Sequence, residues 1–266
     1  MVRNLIRSFL NKRNYEIIKQ VYRGDKFPNL SNNNEDYYCE TPIGNYFLPL
    51  DSVKDPVVDT IIRGKIFEPE NIELAKRFIK KNSTVLDIGA NFGQMSIEFS
   101  KLVGSNGIVY SFEAQETVFK YLEKNISSNK CKNVITKFGA VYNEDGKVLI
   151  FPDPKDSYTT YSSNAINPTL SEGKKVTTFT IDSLKISTPI SFMKVDIQGS
   201  DLFAIQGARD TIMKHRMPIF FEFEQQFQHQ FNTTFQNYLD FLRDIDYVIP
   251  EVVEGINYLA LPREKN

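Results

Sequence analysis

Apolar and polar positions follow two periods along this chain, and from residue 84 onward the periods take turns. Short apolar runs at 84–88, 107–112, 134–138, 190–197 and 218–224 have the length of buried strands. Between them, apolar residues recur at three and four positions, which predicts helices ending near 101 and over 116–127, 201–214 and 234–244. Residues 147–151 read as an extra strand paired to the one at 134–138. Residues 152–175, dense in Ser, Thr, Tyr and Asn, read as a long loop. Two further runs, 247–253 and 257–261, frame Glu254-Gly255 as an end hairpin. Strands alternating with helices predict a doubly wound, mainly parallel sheet covered on both faces.

Upstream the pattern changes. Residues 41–49 form a small β element around Gly44-Asn45. Pro69-Glu70-Asn71 opens a helix whose apolar face is Ile72, Ala75, Phe78 and Ile79, with Lys80-Lys81 suited to its end. Residues 1–26 place apolar side chains at 5, 6, 9, 10, 17, 18, 21 and 22, with seven Lys/Arg against two acids, a local charge of +5. That predicts an amphipathic helical appendage packing on the main domain or on a second copy in a homo-oligomer; the sharper alternative is a weak membrane-surface anchor. The Asn- and Pro-rich stretch 27–37 reads as a loop, dividing an appendage (1–37) from a main domain (38–266).

Charge narrows the partners. Lys+Arg 32 against Asp+Glu 33 leaves a net charge of −1, so no basic field exists to hold a phosphate backbone, and nucleic acid is not an expected partner. Cys39 and Cys131 have no metal-ligand spacing and form no disulfide framework. No run of about 18 apolar residues occurs, and Asn11-Lys12-Arg13-Asn14 interrupts the N-terminal apolar stretch, so neither a membrane span nor a signal peptide is expected. The expected location is the cytoplasm.

The chemistry concentrates at Val85-Leu-Asp87-Ile-Gly89-Ala-Asn91-Phe-Gly93, a strand, a glycine turn and a helix start. Such glycines let backbone approach a ligand closely. The spacing Gly89-x-x-x-Gly93 departs from the dinucleotide fingerprint, and Asp87 would repel a pyrophosphate but attract an ammonium. A nucleoside with a cationic amino acid portion and no phosphate satisfies both facts, and S-adenosylmethionine is such a ligand. Glu113 ends the second strand, where an acid accepts hydrogen bonds from ribose hydroxyls.

These residues resemble the FkbM family of S-adenosylmethionine-dependent methyltransferases. The resemblance rests on Asp87-Ile-Gly-Ala-Asn-Phe-Gly93, Phe112-Glu113, Thr180-Ile-Asp182-Ser-Leu184, Lys194-Val-Asp196-Ile-Gln-Gly199 and Phe220-Phe-Glu222, and spans roughly residues 41–261. Two positions depart from the family pattern: Ala114 stands where Pro is usual, and Gln198 where Glu is usual. The resemblance implies a class I methyltransferase (Rossmann-like) fold with a seven-stranded sheet, and methyl transfer generally to oxygen. It places Asp87 and Gly89 at the methionine end, Glu113 at the ribose and Gly139-Ala140-Val141 under the adenine, with Asn91 and Gly93 completing the cofactor-binding set.

Active sites in open α/β sheets lie beyond the carboxyl ends of the strands. Asp196 ends one strand there, and Lys194 points to the same face. Glu222 and Glu224 end the next strand, and His229 follows. These are the candidate catalytic groups; Asp196 could otherwise cap the helix near Asp201, and Lys194 could simply pair with an acid. His215 precedes a strand and reads as structural. The carboxylates leave room for a divalent metal without requiring one. The hydroxyl-rich loop, with Asp156, Ser157, Tyr158, Thr159, Tyr161, Ser162, Ser163 and Asn164, suits a polyhydroxylated acceptor such as a saccharide, or is a solvated surface. The expected activity is O-methyl transfer to a saccharide or similar small molecule, as in glycan biosynthesis. The alternatives are N-methyl transfer and a non-catalytic binding or scaffold role.

Overall fold

The computed structural model describes residues 30–32, 36–52, 55–152, 160–162 and 164–264. The expected appendage over 1–26 lies outside them. A three-stranded antiparallel sheet opens the described chain: β1 (Leu30–Asn32), β2 (Asp36–Thr41) and β3 (Gly44–Pro49). Residues 30–32 and 36–37 were expected in a loop. Residues 30–32 pair antiparallel with Tyr37–Cys39 of the next strand, and the helix that the sheet covers ties the other two strands in place. Asn125 of that helix accepts from the Phe47 N–H at 2.6 Å, and Asn129 bonds both Asn45 N–H and C=O. Asp36 meets Lys124 at 2.6 Å and accepts from the Tyr121 hydroxyl.

Two short helices follow. The first, α1 (Pro56–Ile62), was not foreseen; Asp55 caps it by accepting from the Val57 and Val58 N–H groups. The second, α2 (Pro69–Lys76), ends before Phe78 and Ile79, which pack on the core from beyond its last turn.

The main sheet has seven strands in the order β12-β13-β11-β10-β4-β5-β6. These are β4 (Thr84–Ile88), β5 (Ile108–Glu113), β6 (Val134–Phe138), β10 (Ile190–Val195), β11 (Ile219–Glu222) and the hairpin β12 (Tyr247–Val253) and β13 (Asn257–Pro262). From β6 to β11 the pairing is parallel; β13 joins β11 antiparallel. The order reverses between β4 and β10, which opens a crevice there. This is the class I methyltransferase arrangement.

Strand alternation sorts the core. Leu86, Ile88, Val195 and Phe221 pack under α5 (Asp201–Gln206), α6 (Arg209–His215) and α8 (Phe235–Asp244). Val85, Val109, Phe192 and Phe220 pack on the other face against Phe99 and Val103 of α3 (Gln94–Val103). The helix α4 (Glu116–Ser128) joins the small sheet through Val118, Leu122 and Ile126.

Three expectations are corrected. Residues 148–151 (β8) do not pair with β6; they pair antiparallel with β9 (Lys174–Phe179), which joins β7 (Ala140–Val141) in a small sheet of its own. The helix expected over 201–214 is two. The Gly207 carbonyl accepts from the Asp182 N–H, while the Asp182 carboxylate accepts from Asp210 and Thr211, starting α6 afresh. A helix α7 (Gln225–Phe231) also follows β11 directly. No described helix is long and apolar enough to cross a membrane.

Candidate active site

A cavity of about 380 Å³ sits over the carboxyl ends of β4, β5, β10 and β11. Its wall follows the strand order. Glu222 leads at β11, then Lys194 and Asp196 at β10, Gly89 and Asn91 after β4, Glu113 at β5, and Gly139, Ala140 and Val141 after β6. Five carboxylates (Glu68, Glu113, Asp196, Glu222 and Glu224) and one lysine line it.

At the β5 end, Glu113 accepts from three backbone N–H groups, those of Asn91, Ala114 and Gln115, at 2.8–3.0 Å. Burial raises its pKa and the three donors oppose that rise. The donors fix the carboxylate on the rim while each oxygen keeps capacity for a ligand hydroxyl. Beside it Phe112, Val118, Ala140, Val141, Phe151 and Ile166 form an apolar wall. A carboxylate for ribose, an apolar wall for a purine and an acidic end for a cation fit S-adenosylmethionine.

The expected role of Asp87 is corrected. Asp87 is 0% exposed and is not part of the cavity wall. Strand alternation turns its side chain under the glycine turn toward α3, where the Ser96 hydroxyl donates to Oδ2 and Ser111 donates to Ser96. Its other oxygen, Oδ1, has no hydrogen bond and lies 3.9 Å from the Lys194 ammonium. Burial raises the Asp87 pKa; Lys194 and then Ser96 work against it. Gly93 also lies off the wall: it caps α3, and a Cβ there would come within 2.8 Å of Leu122.

Lys194, 3% exposed, bridges Asp87 and Asp196, donating to Asp196 Oδ2 at 3.0 Å. Burial works to lower its pKa, but Asp196 and Asp87 together raise it. The Asp196 side chain stays 32% exposed and faces the cavity. It does not cap the helix that follows, whose N-cap is Ser200.

Glu222, 7% exposed, accepts from Gln198 Nε2 at 3.2 Å. Burial first, then Asp196, Asp201 and Glu224, push its pKa far above the carboxylate range, so it carries its proton at neutral pH. The unfolded chain releases that proton near pH 4.3, so this residue makes stability fall as pH rises above that point. Glu222→Gln is expected to stabilise the fold by about 1–2 kcal/mol at pH 8 and by little at pH 4.5. Urea melts at the two pH values check this; a variant less stable at pH 8 contradicts the assignment.

His229 is corrected as well. It lies on α7, exposed and outside the cavity wall, because that helix turns it outward and sends Gln226 and Phe227 in. His215 packs structurally, its Nε2 3.3 Å from the Ile186 carbonyl oxygen. Of the hydroxyl-rich loop, Tyr161, Ser162 and Asn164 reach the wall; residues 153–159 and 163 lie outside the described residues. Tyr161 donates to Asp51, and the Ser162 N–H donates to Asp55 at 2.8 Å. Among the described residues, no group of three or more His, Cys, Asp and Glu converges in a metal-holding arrangement.

Sequence reasoning missed Glu68 and Asp201. Glu68 enters the wall from the loop before α2, far from any motif; Pro69 beside it signals only a helix start. Asp201 lies fully buried, and burial first, then Asp196, pushes its pKa up to about 7 against backbone donors that oppose the rise. Its only local signal was the helix start after Gly199-Ser200.

The model of the methyltransferase FkbM domain family matches residues 87–249, more than half of the chain. A curated relative, "Probable cobalt-precorrin-6B C(15)-methyltransferase (decarboxylating)" of Saccharolobus solfataricus, is 39% identical over 54 residues. That stretch covers 20% of this chain and 27% of the relative. Among solved structures, methyltransferase FkbM from Methylobacillus flagellatus aligns with TM-score 0.45 and 14% identity, over 71% of this chain and 49% of that one. An S-adenosylmethionine-dependent O-methyltransferase from Thermotoga maritima aligns with TM-score 0.45 and 15% identity, over 86% and 79%. With the switch-point cavity, the Glu113 rim and the family match in place, the chain belongs to the methyltransferase FkbM domain family.

Proposed function

We propose that the chain methylates a hydroxyl oxygen of a saccharide or a similar polyhydroxylated small molecule. The observation that carries this reading is the polar acceptor end of the cavity. Gln198 supplies it from the turn after β10, Glu222 from the end of β11, Glu224 and Gln226 from the start of α7, and Tyr161, Ser162 and Asn164 from the loop. Such a set of amides, hydroxyls and carboxyls matches an acceptor rich in hydroxyl groups.

The cofactor supplies an electrophilic methyl group on a sulfonium. The Glu113 carboxylate would hold the ribose, Gly89 and Asn91 would line the methionine portion, and Ala140 would lie under the adenine. Asp196 is the proposed base: it reaches the cavity, and Lys194 holds its Oδ2 in place. With the cofactor and an acceptor bound, Asp196 would take the proton of the acceptor hydroxyl. Glu222, protonated, donates a hydrogen bond to an acceptor oxygen and so cannot compete as base. The excess of carboxylates supports a second reading, N-methylation of an amine, which would dock as a cation.

The test is transfer from S-adenosylmethionine to a panel of neutral sugars and amino sugars, read by mass and by the position of the new methyl. The expected result is an O-methyl product, with Asp196→Asn lowering turnover by about 10²–10⁴-fold. Methylation of amine nitrogen alone would replace this reading with the second. Cofactor binding with no transfer to any acceptor would favour the scaffold alternative.

A further inference from the structure

Each acidic residue of the cavity has a proposed task except one. Glu68 belongs to no motif, yet its side chain lines the same cavity as Gly89 and Asp196. Its backbone stands at φ 49°, a left-handed conformation that costs a non-glycine residue about 1–2 kcal/mol. Residues held this way against their preference cluster where a side chain must be aimed.

The surroundings hold it there. Buried Gln94, at the start of α3, accepts from the Phe67 N–H at 2.6 Å and donates to the Lys65 carbonyl at 2.9 Å, pinning the loop that carries Glu68. Asn71 donates to Glu68 Oε2 at 2.8 Å. The charged neighbours are Asp196 and Lys194 of the β10 end, Glu70 of α2, Glu254 of the end hairpin and, through their mutual repulsion, Glu222. Burial first, then Asp196, pushes the Glu68 pKa up to about 7, with Lys194 opposing. Glu68 shares the cavity wall with Gly89 after β4 and Asp196 after β10, and its loop is tied to Gln94 at the start of the helix that follows β4, which sets it near the β4–β10 junction. The ribose carboxylate Glu113 is one strand away on β5, so this junction is where the methionine end and its sulfur would lie.

We propose that Glu68 is a specificity-determining residue that makes the cavity prefer the cationic cofactor over its neutral product. This rests on the S-adenosylmethionine assignment. S-adenosylmethionine carries an ammonium, a carboxylate and a sulfonium, for a net charge of about +1; after methyl loss the sulfur is a neutral thioether and the net charge is zero. A carboxylate aimed at the sulfur end attracts the first and gains nothing from the second. Product release becomes easier without any conformational step. An ionised Glu68 is required, so the preference grows as pH rises from 6 to 8.

The test is calorimetric titration of the full chain with S-adenosylmethionine, with sinefungin (an amine cation in place of the sulfonium) and with S-adenosylhomocysteine, at pH 6 and 8. Glu68→Gln is expected to weaken both cationic ligands by about tenfold at pH 8. The same variant should bind S-adenosylhomocysteine within about twofold of wild type, which also shows that it is folded. Glu68→Asp should restore part of the preference. Equal weakening of all three ligands would reduce Glu68 to a structural residue and overturn the proposal, as would an unchanged ratio. Wild-type protein that binds none of the three would instead overturn the cofactor assignment on which the proposal stands.

Discussion

Gly89→Ala is expected to cost the fold about 3–5 kcal/mol and to weaken S-adenosylmethionine binding by about a hundredfold. The added methyl would lie 1.9 Å from the Asp196 carbonyl oxygen and 2.9 Å from the Ile197 side chain, far inside contact distance. Neither neighbour gives way freely. The Asp196 N–H is bonded to the Ile88 carbonyl at 3.0 Å, and the Gly89 and Ala90 N–H groups both donate to the Phe112 carbonyl. The turn after β4 and the turn after β10 are therefore locked together, and parting them moves Asp196 and Gly89 at once. Gly89 also stands at φ +81°, where any Cβ is strained. Gly146→Ala is the control. It has a similar φ of +78° with no atom within 4 Å, so it should lose about 1 kcal/mol and leave binding intact. Chemical denaturation and cofactor titration of the two variants separate strain from collision.

Lys194→Met is expected to destabilise the fold by about 3–5 kcal/mol at pH 8, or roughly 10 °C in Tm. Among the described residues, Lys194 is the cation paired with Asp87, a carboxylate that is 0% exposed and has one oxygen without a hydrogen bond. Without it, Asp87 holds its charge in an apolar interior or takes up a proton. The sign of the pH dependence follows. In the variant the folded Asp87 binds its proton more tightly than the unfolded chain does, so stability falls as pH rises above about 4. The gap to wild type should be widest near pH 8 and shrink toward pH 5. A gap independent of pH would mean that lost packing, and not the charge, dominates.

How much of this was visible beforehand depends on the range of the forces involved. The strand ends at Asp87, Glu113, Asp196 and Glu222 followed from local apolar runs, and the glycine turn marked the cavity from residue spacing alone. Asp87 was misread because its approach to a ligand was judged from its place at the strand end. Alternation along β4 turns the carboxylate under α3, and the ligand-facing work passes to residues the turn exposes. His229 was misplaced because α7 is only 7 residues long and has no strong apolar period. β1 was missed because Leu30–Asn32 is a three-residue stretch inside an Asn- and Pro-rich run, and β9 because its partners β7 and β8 lie across the long loop that precedes it. Glu68 illustrates the same limit: its neighbour Phe67 is tied to Gln94, 27 residues on in the sequence.

The most direct measurement is a calorimetric titration of the wild-type chain and a Glu113→Gln variant with S-adenosylmethionine and, separately, with NAD. Micromolar binding of S-adenosylmethionine, clear weakening in the variant and no NAD binding would match the cavity as described. NAD binding, or wild-type protein that binds neither molecule, would contradict it.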